Sequence, residues 1–130
     1  MKFTKATNIG LHVMTYMVQN NANKVNLTIN ELAEKFEVSP SYLSKILTLL
    51  AKENLVRSVS GVKGGYKLGS NFNDITFFDV IKATEALTDN KECLSGNEEN
   101  KCPINTTLEA AEIAMWDYLK LQKLSELEGL

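Results

Sequence analysis

"VSPSYLSKILTLLAKENLVRSVSGVKGGYKLG", Val38 to Gly69, changes its hydrophobic period part-way along. Up to Lys52 the apolar residues Leu43, Ile46, Leu47 and Leu50 recur at helical spacing and make one buried face. Ser41, Tyr42, Ser44, Lys45, Thr48 and Lys52 fall largely elsewhere. Ser39 is a strong N-cap, and Pro40 takes the first helical position, where its missing N–H costs nothing. From Leu55 the period becomes two. Leu55, Arg57 and Val59 share one face, Val56 and Ser58 the other, and Tyr66, Lys67 and Leu68 begin a return strand. The glycine-rich loop between them is too long for a two-residue turn.

The stretch just upstream, "LTINELAEKFE", holds Thr28-x-x-Glu31, a capping-box spacing that starts a helix, with Leu32, Ala33 and Phe36 as its apolar stripe. The two helices meet across the three residues Glu37, Val38 and Ser39, which is helix-turn-helix spacing. A helix-turn-helix followed at once by a β-hairpin predicts a winged helix, whose second helix enters a major groove while the hairpin lies along the groove edge. Glycine lets the hairpin backbone approach a neighbouring surface, and Arg57, Lys63 and Lys67 supply charge for phosphates.

Charge distribution points the same way. Residues 1–70 carry nine Lys/Arg against four Asp/Glu, whereas residues 71–130 carry five against twelve. A basic front half and an acidic back half suit a polyanion-binding part joined to a part that avoids polyanions.

Elsewhere the chain reads as mainly α. Residues 3–19 form a first helix capped by Thr4 or Thr7, and "DITFFDVIKATEAL" forms another, with capping-box spacing at Thr76 and Asp79. A polar loop with both cysteines follows. The last segment predicts a long helix starting near Thr106 or Thr107 and running on through Leu121, Leu124 and Leu127. Such a helix, apolar on more than one side, asks for a second copy to cover it. Leu108, Ala111, Met115, Trp116 and Leu119 are the candidate dimerisation residues, with Trp116 and Tyr118 expected to be exposed. The expected division is 1–86 for the winged helix-turn-helix, 87–105 for a cysteine-containing sensor loop and 106–130 for the dimerisation helix. No stretch approaches the ~20 apolar residues of a membrane span. Two cysteines are too few for a disulfide scaffold, so the expected setting is a reducing cytoplasm with no membrane partner.

Over nearly its full length the chain resembles the Rrf-two family of bacterial winged-helix regulators, which includes repressors sensing iron–sulfur status, nitric oxide and cysteine supply. The resemblance rests on "MKFTKATNIGLHVM", on S-x-x-Y-L-x-K-I-L-x-x-L paired with G-x-x-G-G-Y-x-L, and on "ITFFDVIKATE". It implies a homodimer crossed through the long helix, binding double-stranded DNA, with half-sites one or two turns apart at roughly 34 Å per turn. Carried over, Ser41, Tyr42, Ser44 and Lys45 would read bases. Lys2, Lys5, Arg57, Lys63, Lys67 and the Gly64–Gly65 backbone would meet phosphates. Thr28, Ser39 and Thr48 complete the candidate interface.

Cluster-binding members of that family hold iron–sulfur with three cysteines of the loop. This chain has Cys93 and Cys102, and the third position falls at Thr106 or Thr107, which supplies no thiolate. Asn8 stands where the nitric-oxide sensors carry an Asp, and His12, the single histidine, reads as a packed or capped side chain. No cofactor and no metal site is therefore expected. Cys93 and Cys102 read as a remnant of a cluster site, as a thiol switch, or as ligands with unexpected help. A disulfide between them would restrict the open chain by about 2.7 kcal/mol on the chain-entropy relation.

The expected function is a sequence-specific DNA-binding regulator, a repressor on an inverted repeat. The alternative is a protein-interaction module that holds a metabolic enzyme. A third reading, an enzyme such as a thiol oxidoreductase, is not expected: the chain has no Cys-x-x-Cys, and its "GVKGGYKLG" leads into a strand rather than a helix, unlike nucleotide-binding loops.

Overall fold

The computed structural model describes residues 3–20, 22, 24–85 and 102–129. Helix α1 (Lys5–Gln19) is followed by α2 (Ile29–Phe36) and α3 (Pro40–Lys52), then by the antiparallel strands β1 (Val56–Val59) and β2 (Gly65–Leu68). A 3-10 turn (Phe72–Asp74) leads into α4 (Phe77–Thr84); α5 (Pro103–Leu119) and a last 3-10 turn (Leu124–Glu126) close the order.

The helix starts are set by local chemistry. Thr4, not Thr7, caps α1, accepting from the Thr7 N–H at 3.2 Å. Complete capping boxes open α2, with Thr28 and Glu31, and α4, with Thr76 and Asp79. In both boxes the carboxylate accepts from the cap residue's own N–H, at 2.8 and 3.0 Å.

The core is built by Val13, Met14 and Met17 of α1, Leu32 and Ala33 of α2, Leu43, Ile46, Leu47 and Leu50 of α3, and Val80 of α4. Val56 and Leu68, direct partners across the hairpin, add the wing's inner face.

The C-terminal segment departs from the sequence expectation at both ends. Helix α5 starts at Pro103, with Cys102 in the cap position, rather than at Thr106 or Thr107. It stops at Leu119, so residues 120–129 are not helix of its kind. The chain turns back instead. The Phe77 N–H donates to Gln122 O and the Leu124 N–H to Ile75 O, both at 2.9 Å, with Thr76 and Lys123 paired between them. Leu124, expected on the dimer helix, is 0% exposed and belongs to the core of its own subunit. The turn buries a leucine and gives an acceptor to the Phe77 N–H, which the first turn of α4 leaves without a helical partner.

Candidate nucleic-acid interface

Helix α3 is set at its angle by the turn before it. The Val38 N–H donates to Ala33 O at 3.0 Å and the Glu37 N–H to Glu34 O at 3.3 Å, the paired bonds of a Schellman stop. Its left-handed residue is Glu37, at φ 55°, where glycine is usual. Ser39 then accepts from the Tyr42 N–H at 3.2 Å and starts α3. Leu43, Ile46, Leu47 and Leu50 face inward. Ser41, Lys45, Thr48 and Lys52, at i, i+4, i+7 and i+11, form an exposed stripe along the other side. The Thr48 hydroxyl donates to Ser44 O at 2.8 Å, leaving its lone pairs outward. Tyr42 and Ser44 are half-buried at the stripe's edge. Lys5, from the first turn of α1, holds its ammonium 5.8 Å from the Tyr42 ring centroid. Two residues 37 apart in sequence, both singled out for DNA, therefore meet.

The wing pairs Arg57 with Lys67 and Ser58 with Tyr66. Lys63 is exposed on the connecting loop. The paired glycines have an internal reason. A Cβ on Gly64 would stand 2.4 Å from Val59 O, and one on Gly65 2.6 Å from Leu27 O. The Gly64 N–H donates to Gly61 O at 3.0 Å, so it already has a partner inside the wing. Thr28 and Ser39 likewise use their hydroxyls as helix caps. Lys2 lies outside the described residues.

Helix α5 has one buried residue, Asn105. Leu108 and Ile113 are 52% and 59% exposed, and Ala111 is exposed beside them. Met115, Trp116 and Leu119 are half-buried. Trp116, expected to be exposed, packs edge-on against Phe78 of α4 at 5.4 Å, and Lys120 covers the same ring at 4.7 Å. Tyr118 is exposed, as expected.

Sequence reasoning missed the polar latch at the start of α1. Oε1 of Glu85 accepts from the Thr4 N–H at 2.9 Å, the Thr4 hydroxyl at 3.0 Å and the Thr7 hydroxyl at 2.8 Å. The Thr4 N–H does most to hold this carboxyl below the usual carboxylate range; partial burial works the other way, and the Thr7 and Thr4 hydroxyls reinforce the lowering.

A mainly helical chain with a two-stranded wing and an uncovered polar stripe on α3 matches one family model, described as Rrf2, iron-dependent transcriptional regulator, over residues 3–128. The chain belongs to the Rrf2 family. It is similar to the protein aau3 of Rhizobium meliloti, at 33% identity over 98% of this chain and 84% of that protein. It is similar to the HTH-type transcriptional regulator NsrR of Bacillus licheniformis, at 31% identity over 78% of this chain and 70% of that one. The structure of CymR, the global cysteine regulator of B. subtilis, superposes with a TM-score of 0.77 at 25% identity, covering 97% of this chain and 95% of that one. This Rrf2 protein is thus a DNA-binding transcriptional regulator and not an enzyme. No helix among its described residues is long and apolar enough to cross a membrane.

An iron-dependent family raises the question of a cluster, and the described donors of this Rrf2 chain do not fit one. Cys102 is 1% exposed and disulfide-bonded, and in that state it offers no thiolate. The Thr106 hydroxyl donates to Cys102 O at 3.0 Å and the Thr107 hydroxyl to Pro103 O at 2.8 Å, both folded onto the helix backbone. His12 holds its Nδ1 2.7 Å from Asn8 O on α1. Cys93 lies outside the described residues.

Proposed function

We propose that this regulator is a repressor that binds an inverted-repeat operator as a homodimer in the cytoplasm, without an iron–sulfur cluster, and that the thiol state of Cys93 and Cys102 sets its affinity. The observation that carries the reading is the Ser41, Lys45, Thr48 and Lys52 stripe. It is left uncovered by its own subunit while the opposite side of α3 is wholly buried. A helix so mounted fits the width of a major groove. Ser41, Tyr42, Ser44 and Lys45 at its N-terminal end read base edges, and Lys5, Arg57, Lys63 and Lys67 meet phosphates on either side. The exposed apolar residues of α5, Leu108 and Ile113 above all, pair with those of a second copy and set the two-fold axis. The bonded state of Cys102 supports the thiol reading, as does the likeness to a cysteine regulator. The repressors within the resembled family support repression as the mode of action.

Selection of duplexes from a random pool, with the protein reduced and then oxidised, tests this. The expected product is an inverted repeat bound with different affinity in the two states. Lys45→Ala should relax preference at one position of each half-site, by about 1–3 kcal/mol of discrimination. Absence of duplex binding at low salt in both thiol states would refute the reading.

A further inference from the structure

The wing has strands of only four residues each, and a two-stranded hairpin of that size is marginal by itself in water. A cation carried on a loose tip must be ordered when DNA binds, and that ordering subtracts from affinity. The segment between α1 and α2 supplies a brace. The Leu27 N–H donates to Tyr66 O at 3.0 Å, the Tyr66 N–H returns to Leu27 O at 2.8 Å, and the Leu68 N–H donates to Ala22 O at 3.1 Å. Those bonds hold β2. The tip is held by a side chain: Nδ2 of Asn26 donates to the carbonyl oxygen of Lys63 at 2.6 Å.

The other end of that amide is informative. Oδ1 of Asn26 is enclosed and has no hydrogen-bond partner among the described residues. Turning the amide over would set two acceptor oxygens against each other, so the orientation is fixed by Lys63. An enclosed acceptor without a partner detracts from folding, while the bond at the other end favours it. Asn26 therefore contributes little to stability on balance, and its effect is concentrated on where the tip sits.

We infer that Asn26 is a positioning residue for DNA binding: its amide holds the wing tip so that Lys63 meets a phosphate already in place. The inference rests on the reading that Lys63 contacts phosphate. The tie runs through the Lys63 carbonyl, so Lys63→Ala removes the ammonium and keeps the tie. Asn26→Ala does the reverse, and the two variants make a clean cycle.

The test is the affinity of the full chain for one fixed duplex of mixed sequence across a salt series, with thermal unfolding measured on each variant. K63A should lower the slope of log affinity against log salt by about 0.9 per subunit engaged. N26A should weaken binding several-fold in the parent chain, have no further effect in the K63A background, and leave the unfolding midpoint unchanged. Asn26→Leu, which fills the same space with no amide, should behave as N26A does. An equal loss from N26A in both backgrounds, or a fall in midpoint that tracks the loss, would assign Asn26 a merely structural role and overturn the inference. An unchanged salt slope in K63A would instead remove the phosphate contact itself, and with it both readings.

Discussion

Arg57 and Lys67 stand directly opposite each other in the antiparallel register of the wing. Like charges so placed destabilise a hairpin, and a neutral partner would relieve them by about 0.2–1 kcal/mol. The pair makes sense as a concentration of positive charge whose compensation arrives with a polyanion. Lys67→Thr should accordingly raise the urea midpoint slightly while weakening duplex binding and reducing its salt slope by about 0.9. Stability and affinity measured on the same preparation check both signs. A variant that lost stability would show that the repulsion is already screened.

Glu37 holds the turn between α2 and α3 in the left-handed region, at φ 55°. A side chain there costs about 1–2 kcal/mol relative to the right-handed form. Glycine avoids that cost but loses more entropy on folding. The expected net effect of Glu37→Gly is a stabilisation of about 0.5–1 kcal/mol, read from chemical denaturation, with the angle of α3 and the DNA affinity retained.

The Glu85 latch makes stability depend on acid pH. Its carboxyl titrates below its ordinary value in the folded chain, so the charged form is favoured by folding. That contribution is fully present above the usual carboxylate range and is lost as pH falls through the lowered folded-state value. Glu85→Gln should therefore be less stable than the parent near neutrality. The gap should close as pH drops below the usual carboxylate range. Paired urea titrations across that window measure it; a gap independent of pH would exclude the latch as its source.

Leu124 is fully enclosed although it lies 77 residues beyond Leu47, a core residue of α3. Leu124→Ala should cost about 2–5 kcal/mol in a single cooperative transition, as for other emptied leucine sites. Leu121→Ala, three residues before it and 74% exposed, should change stability by less than about 0.5 kcal/mol.

Much of the fold was legible because it is encoded locally. Thr28 with Glu31, Ser39 with Pro40, and Thr76 with Asp79 each satisfy helix-end N–H groups within four residues, and the structure has all three. The burial of Leu43, Ile46, Leu47 and Leu50 followed from spacing alone. What was not legible depends on partners far away in sequence. Nothing in "LKLQKLSELEG" breaks a helix; α5 ends because Gln122 and Leu124 find backbone partners at Phe77 and Ile75. The start of α5 was misplaced because threonine at 106 looked like a cap, while Pro103 carried the better signal. In the interface, the cations and the α3 stripe were visible as residue types. The ties that aim them, Asn26 to Lys63 and Lys5 to Tyr42, link residues 37 apart in each case.

The placement of Leu124 also bears on how the chain matures. The ribosome releases it after every residue that touches DNA in the present reading, yet it plugs the interior against which α1 rests. A nascent chain that already displays α3 and the wing still has a gap in its interior. Competence to grip DNA is thus expected to wait until synthesis has passed that leucine, and prematurely terminated products should be cleared by proteolysis rather than compete for the same sites.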